Sequence, residues 1–424
     1  MRKARKKNHG MIVDGIDLAE IEIIDAHMHT LRRALLSDVY ARQAEAFAKR
    51  IMPRTEDQRS DVQQSRIVAG FRESIHWAPR KIGYLNYVAR NYGVPPTIEA
   101  FDSVVSKHLE SDADYTTYTG LVLDRERISS VAIESAEREP VAPSPLIPEG
   151  RWLWTYPIVP LVRPVWAKEK DASTLTDLLG AIDATLETAV RNGCVGFKSF
   201  AAKYRTLDLA EVTRADAERA FDKVRSSVQV AIGEQELPIY ADEATNTALR
   251  TCEDFLYKHI FVRAGALDRP VIIHSAAALS PDLRVDYNDP RNLYSLFRDE
   301  AIQGAGTRFS VIHAGYPSHH VLATFASQFP NVYVDTSFFS KYPAALEEVY
   351  RTFLAIAPSC KLMHGSDANT IPEEIGYCAW NGRTVLAKVL ADHVSDYGWT
   401  ASDIRRMAED VFHRTARSLF RLAA

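Results

Sequence analysis

Short runs of β-branched and aromatic residues recur along the chain, and longer segments with helical spacing separate them. The segment 173–192 carries apolar residues at a period near 3.6, with Ser173 as the expected N-cap and Gly193 as the expected stop. Further helices are expected at 215–233, 243–264, 344–356 and from a cap at Ser402 to about Leu419. The strand-like runs cover 21–26, 128–133, 154–159, 195–198, 271–274, 309–313, 332–335 and 361–364.

This alternation predicts the fold class. Buried strands that alternate with helices are typical of a parallel sheet in an α/β protein. Eight such units predict a closed (β/α)8 TIM barrel. The alternative is a doubly wound open sheet, but the sequence has no glycine-rich dinucleotide or phosphate loop to support it.

The stretch 31–127 is too long for one strand–helix unit. It is polar, compatible with helices and broken by prolines. We expect it to be a helical insertion after the first strand, which covers the mouth of the barrel as a lid. A separate N-terminal helical domain is disfavoured because a predicted strand precedes the stretch. Residues 1–424 are therefore expected to form a single barrel domain.

Composition excludes several classes of protein. The chain has 424 residues, of which 46% are hydrophobic and 25% charged, and its formal net charge of -4 predicts no nucleic-acid partner. No apolar stretch approaches the ~18 residues of a membrane span, and no signal peptide is evident. The four cysteines form no CxxC motif, which favours reduced thiols in the cytoplasm. The expected partners are a small-molecule substrate and further copies of the chain in a homo-oligomer.

His27 and His29 lie where the first predicted strand ends. Side chains on a strand repeat every second residue, so an HxH pair directs two imidazoles the same way. Neutral imidazoles are common ligands of divalent metals. In a barrel, the carboxyl ends of the strands carry the chemistry. The pair therefore indicates half of a metal site, although two ordinary capping histidines would explain it as well.

Later strand-like runs end in further ionisable residues. They are Lys198, His274, His313 and Asp367. In a barrel the carboxyl ends of all strands meet at one mouth, so these residues are expected to lie close together. A single histidine at a strand end is usually structural. The joint pattern is much stronger evidence for a metal site.

These motifs resemble the amidohydrolase superfamily of metal-dependent barrels, and in particular its amidohydrolase 2 branch. Within that branch, the chain is similar to the amidohydrolase region that some fungal and plant proteins carry fused to a glutamine-synthetase-like domain. The resemblance extends over residues 20–422. The matching stretches are 24–29, 196–205, 312–317, 331–335 and 365–368.

The resemblance implies a role for each strand-end residue. His27, His29 and His274 would bind the metal. Asp367 would be the last ligand and also the acid/base group that handles the proton of the attacking water. His313 would bind a second metal or, with a single metal, act as a general base or polarise the substrate.

Two interpretations of Lys198 remain open. The resemblance places it where binuclear members hold a carboxylated lysine that bridges two ions. Unmodified, it is a cation that suits a substrate carboxylate better than a metal. Tyr204 and Arg205 follow it and are candidates for substrate binding, because a guanidinium offers a planar fork for a carboxylate. A surface ion pair would explain Arg205 equally well.

Three histidines and one carboxylate favour Zn²⁺ as cofactor, with Mn²⁺ or Fe²⁺ as alternatives and one or two ions per chain. The sequence therefore predicts a metal-dependent hydrolase, which cleaves an amide-type C–N bond of a small carboxylate-bearing molecule by metal-activated water. A non-oxidative decarboxylase or C–C hydrolase on the same fold is the first alternative. A non-catalytic, metal-binding sensor barrel is the second.

Overall fold

The computed structural model describes residues 9–51, 61–76, 78–134, 140–143, 145–232, 238–276 and 283–423. Eight strands form one sheet in which every neighbouring pair is parallel and the spatial order follows the chain. The strands are β1 (Ile23–His29), β2 (Ile128–Glu134), β3 (Trp152–Pro157), β4 (Cys194–Ser199), β5 (Val271–His274), β6 (Phe309–Ile312), β7 (Val332–Asp335) and β8 (Leu362–Met363).

The sheet closes where β8 returns to β1. The backbone N–H of Ala26 donates to the carbonyl of His364 at 2.9 Å. In the segment that follows β8, the N–H of Asp367 donates to the carbonyl of His27 at 2.9 Å. The fold is therefore a (β/α)8 barrel, as the sequence predicted, and its closure lies next to the HxH pair.

Helices surround the sheet. Between β1 and β2 lie α1 (Leu36–Ile51), α2 (Asp61–His76), α3 (Pro79–Tyr92), α4 (Ile98–Val105) and α5 (Asp112–Arg125). Between β3 and β5 lie α6 (Pro164–Glu169), α7 (Leu175–Arg191), α8 (Arg214–Ser226) and α9 (Glu243–Ala266). The later helices are α10 (Tyr294–Arg298), α11 (Glu300–Gly304), α12 (His319–Gln328), α13 (Pro343–Ile356), α14 (Pro372–Tyr397), α15 (Ala401–Glu409) and α16 (Thr415–Leu419), with a π-helical turn at Asp410–Arg414.

The two largest apolar clusters among the described residues hold these layers together. The larger packs the strands against the surrounding helices. The smaller joins Ile272, Ile312 and Met363 to Leu419 and Phe420 of the C-terminal segment. On β5, Ile272 of the smaller cluster alternates with Val271 and Ile273 of the larger one, so the two clusters lie on opposite faces of the sheet and the smaller one faces the inside of the barrel.

Three expectations about helix boundaries were wrong. The helix expected at 215–233 ends at Ser226, and Gln229–Ile232 instead pairs with Pro238–Tyr240 in a two-stranded antiparallel ribbon. The extended backbone of Ser227 ends the helix, and β-branched residues follow it. The caps of α7 and α15 are Thr174 and Thr400 instead of Ser173 and Ser402. Each threonine forms a capping box with an aspartate three residues later, and serine at the predicted position has no such partner.

The helices between β1 and β2 are joined to the rest of the fold through a buried ion pair. Nη2 of Arg125, the last residue of α5, lies 2.5 Å from Oε2 of Glu373 in the first turn of α14. Glu373 is fully buried and also accepts hydrogen bonds from Tyr92 and Tyr118. Since a buried charge needs a partner, this network fixes the position of α5 and α3 against α14.

In the described part of the chain, no helix combines the length and the apolar character that a membrane crossing requires.

Candidate metal centre

The HxH pair of β1 meets the carboxylate that follows β8. Nε2 of His27 lies 3.4 Å from Oδ1 of Asp367, and Nε2 of His29 lies 3.3 Å from the same oxygen. His27 is buried, whereas the side chain of His29 keeps 34% of its surface exposed. Oδ1 of Asp367 therefore faces both histidines, and His29 lies on the side of the cluster that faces solvent.

Asp367 adopts a conformation that its neighbours impose. Its φ of 55° lies in the left-handed region, which is uncommon for a residue with a Cβ and costs about 1–3 kcal/mol. The N–H bond to His27 and a 2.7 Å bond from Nζ of Lys341 to the Asp367 carbonyl hold it there. Burial opposes ionisation of the carboxyl, but His313, His27, His29 and Lys341 together keep its pKa well below the usual range. Asp367 is therefore a carboxylate at neutral pH.

His313 and His274 form the opposite side of the cluster. Nε2 of His313 lies 3.1 Å from Nδ1 of His274. Nδ1 of His313 lies 3.2 Å from the carbonyl of Ser337, and a carbonyl oxygen only accepts hydrogen bonds. The proton of a neutral His313 is therefore on Nδ1, and Nε2 carries the lone pair. If His274 donates from Nδ1 to that lone pair, its own Nε2 lacks a partner, and this atom is indeed buried without a hydrogen bond.

A chain of hydrogen bonds behind His313 fixes the ring. Oγ of Ser337 lies 2.8 Å from Nδ1 of His313 and donates to Oδ1 of Asp335 at 2.5 Å. The same carboxylate oxygen accepts the backbone N–H of His313 at 3.0 Å. His313 has a φ of 62°, so these contacts hold both its ring and its left-handed backbone.

The buried histidines of this cluster are neutral. Burial, followed by the charge of Lys198, lowers the pKa of His27 to about 4. Burial also places the pKa values of His274 and His313 well below the ordinary value. A neutral imidazole offers a lone pair, which is the form that binds a metal.

A carboxylate that the sequence analysis missed lies in the same cluster. Oε2 of Glu134, the last residue of β2, lies 3.1 Å from Nζ of Lys198 and 3.6 Å from Nδ1 of His29. Burial alone would raise the pKa of Glu134, but Lys198, His29 and His27 lower it to about 2. Nζ of Lys198 lies 3.5 Å from Nε2 of His27. Lys198 is therefore in contact with the cluster, as expected, and has a buried anionic partner.

Some of the residues that the sequence prediction missed lie at recognisable positions in the sequence, and others do not. Glu134 directly follows the run 128–133 and therefore obeys the same strand-end rule as Lys198. Asp335 ends β7 and was treated only as part of a strand. Ser337 and Lys341 follow β7, and no pattern in the sequence separates them from ordinary loop residues.

Tyr204 and Arg205 are not brought to this cluster. Nη1 of Arg205 donates to Glu253 at 2.8 Å, Nη2 donates to Asp254, and Nε donates to the carbonyl of Thr206. The guanidinium is therefore used in a buried ion pair with α9, which leaves no free fork for a carboxylate. The hydroxyl of Tyr204 lies 2.7 Å from that of Tyr257, also on α9. This geometry is a correction to the substrate clamp expected from the sequence.

The donor set fits a divalent ion. His27, His29 and Glu134 have ligand atoms that all lie within 4.8 Å of one another, and so do His27, His313 and Asp367. Tetrahedral ligands 2.0–2.1 Å from an ion are about 3.3 Å apart. The 3.3–3.4 Å separations around Oδ1 of Asp367 match that spacing. His274 joins the cluster through His313.

A family model described as amidohydrolase matches residues 175–422, which is more than half of the chain. The chain belongs to the amidohydrolase family. The matched segment contains Lys198, His274, His313 and Asp367, while the HxH pair lies ahead of it. The resemblance found in the sequence is thereby confirmed at the level of the family. A relation to chains fused to a glutamine-synthetase-like domain stays a prediction.

One curated relative of this amidohydrolase is the protein fluG of Emericella nidulans. The two are 28% identical over 246 residues, which cover 57% of this chain and 26% of fluG. The chain thus matches about a quarter of the length of that relative.

Solved structures share the fold of this amidohydrolase at low identity. A proposed metal-dependent hydrolase from Lactobacillus casei has a TM-score of 0.69 and 19% identity, over 96% of this chain and 98% of its own. The uronate isomerase of Thermotoga maritima has a TM-score of 0.67 and 15% identity, over 95% of each chain. The glucuronate isomerase of Caulobacter crescentus has a TM-score of 0.63 and 13% identity, over 96% of this chain and 92% of its own. These similarities concern the fold.

Proposed function

We propose that this amidohydrolase is a divalent-metal-dependent hydrolase, which cleaves an amide-type C–N bond of a small carboxylate-bearing molecule. The observation that carries the proposal is that Oδ1 of Asp367 lies 3.4 Å from Nε2 of His27 and 3.3 Å from Nε2 of His29, separations that suit tetrahedral ligands. Family membership supports the metal dependence. The bond type and the carboxylate are the finer parts of the proposal.

In this proposal His27, His29, His274 and Asp367 hold the ion, with Zn²⁺ favoured by the mixed nitrogen and oxygen donors and Mn²⁺ or Fe²⁺ as alternatives. Glu134 is added to this set because it shares a focus with the HxH pair. Such an ion supplies Lewis acidity, which lowers the pKa of water towards ~7 and polarises a carbonyl group.

Asp367 is the proposed acid/base group. Its carboxylate is ionised at neutral pH, so it can take up a proton from water at the oxygen that does not face the two histidines and deliver it to the leaving nitrogen. The ion pair between Lys341 and Glu374, at 2.8 Å, keeps a cation close to Asp367 and stabilises this charged form. His313 presents Nε2 with its lone pair and is the second proposed catalytic residue.

Lys198 decides between one and two ions. As an ammonium, it neutralises Glu134 and can hold a substrate carboxylate, which suits a single ion. As a carboxylated lysine, it would be an anion that bridges two ions. The first state keeps the 3.1 Å ion pair with Glu134, and the second would replace this attraction by repulsion. Retention of this ion pair would therefore indicate an ammonium and a single ion, and its loss would indicate a carboxylated lysine and two ions.

The helices between β1 and β2 are the proposed lid within a single 1–424 domain. They border a cavity of about 60 Å³ between α1, α3 and α14. Arg80 and Lys341 line this cavity, and Lys341 contacts Asp367 directly. A lid in this position would exclude water and complete the substrate pocket.

The first experiment measures metals per chain in protein purified without chelators, in the wild type and in Lys198→Ala. The exposed Lys388→Ala, in the ion pair with Glu347, is the matched control. A metal content that falls by at least one equivalent in Lys198→Ala, but not in the control, would indicate a bridging carboxylated lysine. A metal content that Lys198→Ala leaves unchanged would assign Lys198 to the substrate. A chain without any bound metal would contradict the proposal.

Turnover is then measured on N-acyl amino acids, amides, aromatic acids and uronates. Uronates belong in this panel because uronate isomerases share the fold over 95% of the chain. Amide hydrolysis that a chelator abolishes and Zn²⁺ or Mn²⁺ restores would support the proposal. Release of CO₂ from an aromatic acid would favour the decarboxylase, and metal binding without turnover would favour the sensor.

A further inference from the structure

A second group of metal-binding side chains lies where α12 begins. His319 and His320 are the first two residues of that helix, and Glu348 lies on α13. One ligand atom from each lies within 4.8 Å of the other two. Nε2 of His319 is 3.4 Å from Oε1 of Glu348. None of these residues belongs to the amidohydrolase centre described above.

The protonation of His319 leaves an unusual contact. Its Nδ1 lies 3.1 Å from the carbonyl of Pro317, which can only accept, so Nδ1 carries the proton of the neutral ring. The lone pair is therefore on Nε2, and it faces the carboxylate of Glu348. His319 is only 2% exposed, and Nε2 has no hydrogen-bond partner. Two acceptors that face each other at this distance repel unless a cation lies between them.

Either a second proton or a metal ion would supply that cation. A proton on Nε2 would place an imidazolium in a side chain that is only 2% exposed. A metal ion would in addition use the ring of His320, whose centroid lies 4.4 Å from that of His319. A hydrogen bond from Nδ1 to a backbone carbonyl is also the usual arrangement behind a histidine that binds a metal through Nε2.

We propose that His319, His320 and Glu348 form a second metal site, which binds a divalent transition ion of the Zn²⁺ type. Two imidazoles and one carboxylate are a donor set of that class, and water would complete the coordination. His320 and the side chain of Glu348 are exposed, so the ion can enter from solvent without opening the barrel.

The site would connect α12 to α13 and brace the loop after β6. Tyr316, in that loop, stacks on His319 with ring centroids 5.4 Å apart and planes 8° apart. Tyr316 also packs against Phe339, with centroids 4.4 Å apart. The same loop begins at His313. An ion at His319 would therefore stiffen the segment that positions His313, which makes this a structural site next to the candidate centre.

The test is Zn²⁺ binding by equilibrium dialysis to the full chain in four forms. These are the wild type, His320→Ala, Glu348→Gln and the control Glu300→Gln, which removes an exposed carboxylate from another helix. We expect the wild type and the control to bind one equivalent more than either site variant, at Zn²⁺ concentrations that saturate the wild type. Equal Zn²⁺ content in all four forms would overturn the proposal.

Two measurements keep this result separate from the candidate centre. The series is repeated in a His27→Ala, His29→Ala background, where the one-equivalent difference is expected to persist even if the proposed hydrolase function is wrong. The ¹⁵N shift of His319 Nε2 is followed with and without Zn²⁺. We expect this shift to change when Zn²⁺ binds. In His320→Ala, the apparent Zn²⁺ affinity obtained from the shift should be at least tenfold lower than in the wild type. If the shift of His319 Nε2 is that of a protonated nitrogen and Zn²⁺ does not change it, the proposal is also overturned.

Discussion

Oε2 of Glu134 and Nζ of Lys198 lie 3.1 Å apart, and this buried ion pair joins β2 to β4 at the carboxyl end of the barrel. Each side chain also approaches one histidine of the HxH pair. The contact therefore connects the proposed ligands of β1 to two further strands, and its charge balance depends on the state of Lys198.

We expect Glu134→Gln to leave Lys198 as a buried cation without its partner. Loss of one member of a buried pair costs about 3–5 kcal/mol, so the free energy of unfolding should fall by about 3 kcal/mol or more. Metal affinity should fall by about 10–100-fold, because the carboxylate next to the HxH pair is lost. Urea denaturation and metal titration check both, with the exposed Glu110→Gln as control. Unchanged stability would mean that Lys198 is not an ammonium in the native protein.

Ser337→Ala removes the hydroxyl between His313 and Asp335. The ring of His313 would keep only the carbonyl contact at Nδ1, so its orientation should loosen. We expect activity or metal affinity to fall by about 10–100-fold, with a stability loss of only about 1 kcal/mol. Ser359→Ala removes a comparable hydroxyl-to-carboxylate bond, with Asp410, and should leave activity intact. An equal loss in the two variants would deny Ser337 a positioning role.

Arg205→Met tests whether this residue acts on substrate. Its partners Glu253 and Asp254 are buried, but Glu253 keeps Arg163 at 2.8 Å and Asp254 keeps Arg250 at 3.7 Å, so stability should fall by only about 1–3 kcal/mol. KM and kcat of the folded fraction should stay close to those of the wild type. The exposed Arg298→Met is the control for loss of a guanidinium. A tenfold rise in KM without loss of stability would restore the substrate clamp expected from the sequence.

His364 predicts a pH dependence of stability. Burial, assisted by the charge of Arg383, lowers the pKa of its ring from 6.5 to about 3. The folded state thus favours the neutral ring, and its contribution to stability is complete above pH ~6.5 and is lost as the pH falls towards ~3. In that window the slope is at most about 1.4 kcal/mol per pH unit.

The measurement compares wild type with His364→Gln by denaturant titration at several pH values. The difference in free energy of unfolding should be constant above pH 7 and should shift in favour of the variant below pH 6.5. A difference that does not change with pH would show that His364 is not a buried titrating group.

The elements that the sequence predicted well are those with a strong local pattern. The strand β5, for example, is a continuous apolar run that ends in His274, and its predicted bounds agree with the structure. The HxH pair and Asp367 meet as expected because the barrel brings all strand ends to one mouth. These residues needed only the fold to be placed together.

Other features depend on contacts between distant segments, which local patterns do not contain. Arg205 follows Lys198 and is a candidate for substrate binding because of its planar guanidinium, but Glu253 and Asp254 on α9 accept hydrogen bonds from that group. The sequence prediction missed Glu134 because the predicted strand stops at the last apolar residue, Ile133, one residue before the strand ends in the structure. The role of Ser337 becomes visible only when β6 and β7 lie side by side.

The closure of the barrel has a consequence for the order of folding. The backbone N–H of Ser366 donates to Oδ1 of Asp25 across 341 positions of the chain. His27 and Asp367, which flank this contact, become neighbours only when the ring closes. Because contacts of such long range form late and slowly, metal uptake should coincide with the final kinetic phase of refolding and serve as its reporter.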